Sequence, residues 1–122
     1  MKFGEFLKEK RLERNLNAKT AAKLWNISPT YLSGFENGNR PSPSFKVLEN
    51  MTDVLKLSID ERYQLYDLAA ENKQPPELSR DLTEYVYQIP QIRELLRYSM
   101  KCQLTEKEWA VILNYVKSNY IY

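Results

Sequence analysis

The chain has no histidine, and Cys102 is its single cysteine among 122 residues. Without imidazole, the usual general base and the common nucleophilic triads are missing. One thiol can form neither an internal disulfide nor a zinc site. Glycine is scarce as well, and Gly4, Gly34 and Gly38 are too few for a phosphate-cradling loop or a dinucleotide fingerprint. The close carboxylate pairs read as ordinary surface: Glu5 and Glu9 lie on an exposed helix face, and the pair Glu106 and Glu108 includes a cap. This inventory predicts a protein that is not an enzyme and that holds no metal or cofactor. No apolar run approaches a membrane span. Met1-Lys2-Phe3-Gly4 passes directly into an amphipathic helix rather than a signal segment, so a cytoplasmic protein is expected.

What is present is a hydrophobic fraction of 43% and a charged fraction of 28%, the balance of a soluble globular chain. The net charge is +2. Residues 1–70 hold 11 Lys and Arg against 9 Asp and Glu, whereas residues 71–122 hold 7 against 7, so the excess sits in the first half. Such a bias is modest for a nucleic-acid partner and gains value only from its position.

Leu16 to Pro41, LNAKTAAKLWNISPTYLSGFENGNRP, reads as two short helices around a tight turn. Asn17 is a good N-cap, Ala18 to Trp25 are helix formers, and Asn26 tolerates the left-handed conformation that ends a helix. Ser28 caps a second helix whose first position is Pro29, where a missing N–H costs nothing. Gly38 stops it. Ala22, Trp25, Ile27, Leu32 and Phe35 are expected inside the bend, with Thr30, Tyr31, Ser33 and Gly34 outside. Gly34 admits two explanations, close approach to a nucleic-acid groove or tolerance near a helix end.

Helical periodicity continues on both sides. A first helix from about Phe3 to Arg14 places Phe3, Leu7 and Arg11 on one stripe, and a charge on an apolar stripe needs a partner. Ser42 is expected to cap, and Pro43 to open, a fourth helix to about Leu55, with Phe45, Leu48, Met51, Thr52 and Leu55 inward. The Ser58–Glu61 capping box starts a fifth helix to about Asn72. One of its stripes is Leu65, Leu68 and Ala69 and another is Ile59, Tyr63, Tyr66 and Ala70, which suggests burial between two layers. Lys73-Gln74-Pro75-Pro76-Glu77 reads as a linker. Beyond it three helices are expected. Leu78, Leu82, Tyr85, Val86 and Ile89 stripe the first, and Ile92, Leu95, Leu96 and Met100 the second. Trp109, Ile112, Leu113, Val116 and Tyr120 stripe the third, which opens on a Thr105–Glu108 capping box. Residues 78–122 are too few to bury a good core alone. Their many Tyr and Trp residues suit a dimer surface, a pocket for a peptide or small-molecule effector, or ordinary core packing.

The first half resembles the Cro/C1-type helix-turn-helix regulators, the phage-repressor-like XRE family. The matched features are Arg11, Leu16-Asn17, Ala22, Ile27-Ser28, Leu32, Glu36-Asn37-Gly38 and Arg40-Pro41. Ala18 stands where the family usually has a DNA-backbone-contacting Gln, Asn26 where it has Gly, and Pro29 where a base-reading polar residue is common. The resemblance implies a helix-turn-helix domain in the first half, and with the helical periodicity along the chain the expected fold is all-α: five helices over 1–72, then, after the 73–77 linker, a small helical region over 78–122. The resemblance also implies that Arg11 pairs with Glu36 as a structural ion pair. On the outer face, Thr30, Ser33 and Tyr31 would reach base edges. Asn17, Ser28 and Pro29 at the two helix starts, with Asn37, Asn39 and Arg40, would hold phosphates. The expected function is a homodimeric, sequence-specific DNA-binding transcriptional regulator that represses at an operator on double-stranded DNA. The alternative is a helix-turn-helix protein-binding module, such as an antitoxin or an inhibitor of another macromolecular machine.

Overall fold

The computed structural model describes residues 1–122 and is built of α-helices: α1 Phe3–Glu13, α2 Ala18–Leu24, α3 Pro29–Glu36, α4 Phe45–Leu55, α5 Ile59–Glu71, α6 Arg80–Gln88, α7 Pro90–Cys102 and α8 Glu106–Asn119. By their contacts the residues form two compact units, Met1–Thr83 and Glu84–Tyr122. No helix is long and apolar enough to cross a membrane.

In the first unit the helix starts follow side-chain chemistry. Asn17 Oδ1 accepts from the Thr20 amide at 2.8 Å, Ser28 Oγ from the Tyr31 amide at 3.0 Å, and Ser58 Oγ from the Glu61 amide at 3.2 Å. Each satisfies an amide that a helix start leaves without an internal partner. The turn between α2 and α3 closes through Asn26 at φ 57°, and the Ile27 amide donates to the Ala22 carbonyl at 2.9 Å. The apolar faces of α1 to α5 then meet in one core. Phe3, Phe6 and Leu7 come from α1, Ala21, Ala22 and Trp25 from α2 and its cap, and Leu32 and Phe35 from α3. Leu48, Met51 and Leu55 of α4 and Leu65, Tyr66 and Ala69 of α5 complete it.

Two local expectations are corrected. Helix α4 starts at Phe45 with Ser44 as its N-cap, not at Ser42-Pro43. Ser42 is buried, and its hydroxyl donates to the Ala69 carbonyl at 2.6 Å. The Ala69 carbonyl also accepts from the Asn72 amide at 3.2 Å, so Ser42 adds a second donor at the end of α5 instead of capping a helix. Helix α5 has a single buried face. Leu65, Tyr66, Ala69 and Ala70 are covered, but Ile59 and Tyr63 are 65% and 53% exposed, so no second layer lies over them. Residues 73–77 are held to this unit: Lys73 Nζ donates to the Ser42 carbonyl and the Glu77 amide to the Ala70 carbonyl, both at 3.1 Å.

Residues 84–122 contain three well-formed helical segments and almost no interior. Helix α6 begins at Arg80, so Leu78 lies ahead of the stripe it was expected to open. Arg93 of α7 donates to the carbonyls of Val86, at 2.9 Å, and of Tyr87, which fixes the end of α6 on the start of α7. The Thr105–Glu108 capping box opens α8. Yet Ser99 is the one buried residue of the unit. Trp109 and Ile112 are half-buried, while Leu113, Val116 and Tyr120 are exposed.

Candidate nucleic-acid interface

Helix α3 owes its placement to a contact made far away in sequence. Arg11 Nε donates to Glu36 Oε2 at 2.7 Å, and Arg11 Nη2 donates to Glu36 Oε1 at 2.9 Å. The two side chains are 7% and 9% exposed. Arg11 Nη1 also donates to the Leu16 carbonyl at 2.8 Å, so one guanidinium ties α1 to the end of α3 and to the approach to α2. A two-pronged, charge-assisted contact of this kind fixes direction as well as distance. The hydrogen bond to Glu36 holds Arg11 protonated above its ordinary range.

Leu32, Gly34 and Phe35 of α3 are buried, so Gly34, expected on the outer face, is covered, while the side carrying Thr30 and Ser33 faces solvent. Thr30, Tyr31, Ser33, Asn37, Asn39 and Arg40 are all exposed. A shallow concavity of about 520 Å³ brings together Thr30, Ser33, Gly34, Asn37, Asn39, Arg40 and Pro41. The loop that closes it is ordered by its own chemistry. Asn37 Oδ1 accepts from the Asn39 amide at 3.1 Å, Gly38 takes φ 81°, and the Arg40 amide returns to the Gly34 carbonyl at 3.1 Å. Arg40 lies over the Tyr31 ring, 4.4 Å from its centroid, and takes part in no ion pair. The surface is therefore polar and carries one unmatched positive charge.

Asn17, Ser28 and Pro29 lie outside that concavity, at the exposed starts of α2 and α3. The capping oxygens of Asn17 and Ser28 are used within their own helices and Pro29 has no N–H, so what these ends offer an anion is the remaining backbone N–H groups and the positive end of the helix dipole. The sequence reading missed the meeting of Arg40 with Gly34 and Tyr31. Its one signal is a glycine inside a helix six residues before an arginine.

Residues 7–62 match the family described as Helix-turn-helix. Over 59 residues the chain is 39% identical to the ImmF control region 10 kDa protein of Bacillus phage phi105, covering 48% of this chain and 64% of that protein's length. A solved structure of a SinR protein/SinI protein complex is similar at 23% identity and a TM-score of 0.48, covering 94% of both chains. The Arg11–Glu36 clamp, the Asn26 turn and the outward face of α3 all fall within the matched segment or at its centre. In residues 7–62, then, the chain is similar to the helix-turn-helix family.

Proposed function

We propose that this protein is a cytoplasmic, sequence-specific DNA-binding transcriptional regulator that acts as a homodimer and represses by occupying an operator. The observation that carries the reading is the exposed face of α3, where Thr30, Ser33, Asn37, Asn39 and Arg40 line one polar concavity. A helix presented in this way fits a major groove, with side chains reaching base edges and flanking groups holding phosphates. Thr30, Ser33 and Tyr31 read bases in this scheme. The helix starts at Asn17, Ser28 and Pro29, together with Asn37, Asn39 and Arg40, hold the backbone. The similarity to a phage control-region protein supports a role in gene control.

Selection of duplexes from a random pool, followed by titration across salt concentrations, tests the reading. Arg40→Ala is expected to weaken selected and unrelated duplexes together and to lower the salt slope by about 1, as loss of a phosphate contact does. Thr30→Ala is expected to cost about 1–3 kcal/mol at particular base positions only. If both variants bind as the parent does, this docking is wrong.

A second reading, a helix-turn-helix module for binding another protein, draws support from the apolar side chains exposed on α6 to α8. Ala18 and Pro29, in positions where the family usually has DNA-contacting polar residues, favour it too. Absence of salt-dependent duplex binding by the parent would select this reading over the first.

A further inference from the structure

Gly34 sits inside α3, where glycine is less favourable than alanine. Its backbone is not in the left-handed region, so conformation does not call for it. Space does. A Cβ at Gly34 would stand 2.8 Å from Arg40 Cδ, 2.9 Å from Cγ and 3.1 Å from Nε. The missing side chain is the room in which Arg40 lies.

Other contacts close around the same side chain. The Arg40 guanidinium carbon is 4.4 Å from the centroid of the Tyr31 ring, a cation–π distance. Tyr31 is itself fixed, edge-on against the buried Phe35 ring at 4.8 Å and 90°. The Arg40 amide bonds the Gly34 carbonyl at 3.1 Å, which anchors the base of the side chain to the helix. No carboxylate competes for the charge, and the residue remains exposed.

We propose that Gly34 and Tyr31 form a cradle that presets the Arg40 guanidinium on the recognition helix before DNA is bound. The inference rests on the DNA-binding reading above and names two positioning residues for its phosphate contact. Arginine has a large rotamer freedom to lose on binding, and a side chain already held loses less of it. Gly34 thus contributes to affinity without touching DNA, by leaving room for a residue that does. The obstructing atoms belong to a flexible side chain, so Gly34→Ala displaces Arg40 while leaving α3 intact.

The test is a double-mutant cycle of Gly34→Ala and Arg40→Ala on two duplexes, one selected by the parent from a random pool and one unrelated. Circular dichroism melting confirms that each variant folds. Gly34→Ala is expected to weaken both duplexes by roughly 3- to 10-fold in the presence of Arg40, the scale of one freed side chain. In the Arg40→Ala background it is expected to change nothing beyond about twofold, because nothing is left to displace. In the free protein, the Arg40 Cδ protons are expected upfield from ring current in NMR spectra, and both Gly34→Ala and Tyr31→Leu remove the shift. A Gly34→Ala penalty of equal size with and without Arg40 would assign the glycine to direct DNA approach and overturn the cradle. So would no penalty at all, or unshifted Arg40 protons. If the parent shows no salt-dependent duplex binding while the ring shift is present, the DNA-binding reading fails and the cradle stands only as a feature of the surface.

Discussion

Arg11 brings a full charge to the apolar side of α1, one turn beyond Leu7 on the stripe that starts at Phe3, and is 6% exposed. A guanidinium in that position is tolerable only with a matching acceptor, which Glu36 supplies with both oxygens. Removing the acceptor by Glu36→Ala leaves the arginine buried and uncompensated, and is expected to cost about 3–5 kcal/mol in urea denaturation. Arg11→Met combined with Glu36→Leu should cost less than Glu36→Ala alone, since no charge is then stranded. An equal or larger cost for the pair would mean that geometry matters more than the charge. Lys10 and Glu61 form a second link between α1 and α5, at 2.8 Å. The Lys10 hydrogen bond, seconded by the Ser58 amide, lowers the Glu61 carboxyl from 4.5 to about 2. A carboxylate whose folded value lies below its unfolded one stabilises the fold above the unfolded value and loses that contribution as pH falls through the folded one. Stability is therefore expected to decline between about pH 4.5 and pH 2, and Glu61→Gln should flatten that part of the denaturation profile. The stripe of Phe3, Leu7 and Arg11 made the need for a partner readable at this scale. The link from Lys10 to Glu61 was not, because 51 positions separate two exposed-looking charges that only the packing of α1 on α5 brings together.

Between elements, α1 packs tightly against the end of α3 at Gly4. A Cβ at Gly4 would stand 2.3 Å from the Phe35 carbonyl oxygen and 2.5 Å from that of Glu36. Those are backbone atoms of a helix end pinned by Arg11, so they cannot swing aside as a side chain would. Gly4→Ala is expected to destabilise the protein by about 1–3 kcal/mol, as overpacking does, despite the better helix propensity of alanine. Unchanged or raised stability in thermal unfolding would show that α1 can shift freely over α3. Caps and turns were the legible part of the elements. Asn17, Ser28, Ser58 and Thr105 each carry a side-chain acceptor at the right distance from a helix start, and Asn26 is one of the few residues that accept positive φ. Lys56 and Gln103 end α4 and α7 at φ 51° and 55° with no such signal. At Lys56 the strain is offset nearby, where Leu57 enters the core and its amide meets the Thr52 carbonyl at 3.2 Å. Ser42 was misread for a related reason: its hydroxyl serves a carbonyl 27 residues away rather than the helix beside it.

For the whole molecule, the question is what covers the helices of residues 84–122. Helices α6 and α7 are strongly amphipathic in pattern, yet Tyr85, Leu95 and Tyr98 on them are exposed, as are Leu113, Tyr115 and Val116 on α8. Three helices with one buried serine between them do not carry enough interior to hold a fixed arrangement in water. Aromatic and aliphatic side chains on a charge-balanced segment suit an interface between copies of the chain. Reading two successive major grooves needs two recognition helices about 34 Å apart, so a self-associating segment also meets a geometric requirement of the proposed function. Sedimentation of the full chain should therefore show a dimer at micromolar concentration, and a chain ending after Ser79 should be monomeric and still folded, because the core of α1 to α5 lies entirely before that point. The shortened chain is expected to keep the outward face of α3 but to lose most of its affinity for a two-half-site operator, while binding to a single half-site changes little. Equal dimerisation of both chains would place the contact on α1 to α5. A monomeric full chain would leave the exposed face of α6 to α8 to a different protein and would favour the protein-binding reading over the operator-bound dimer.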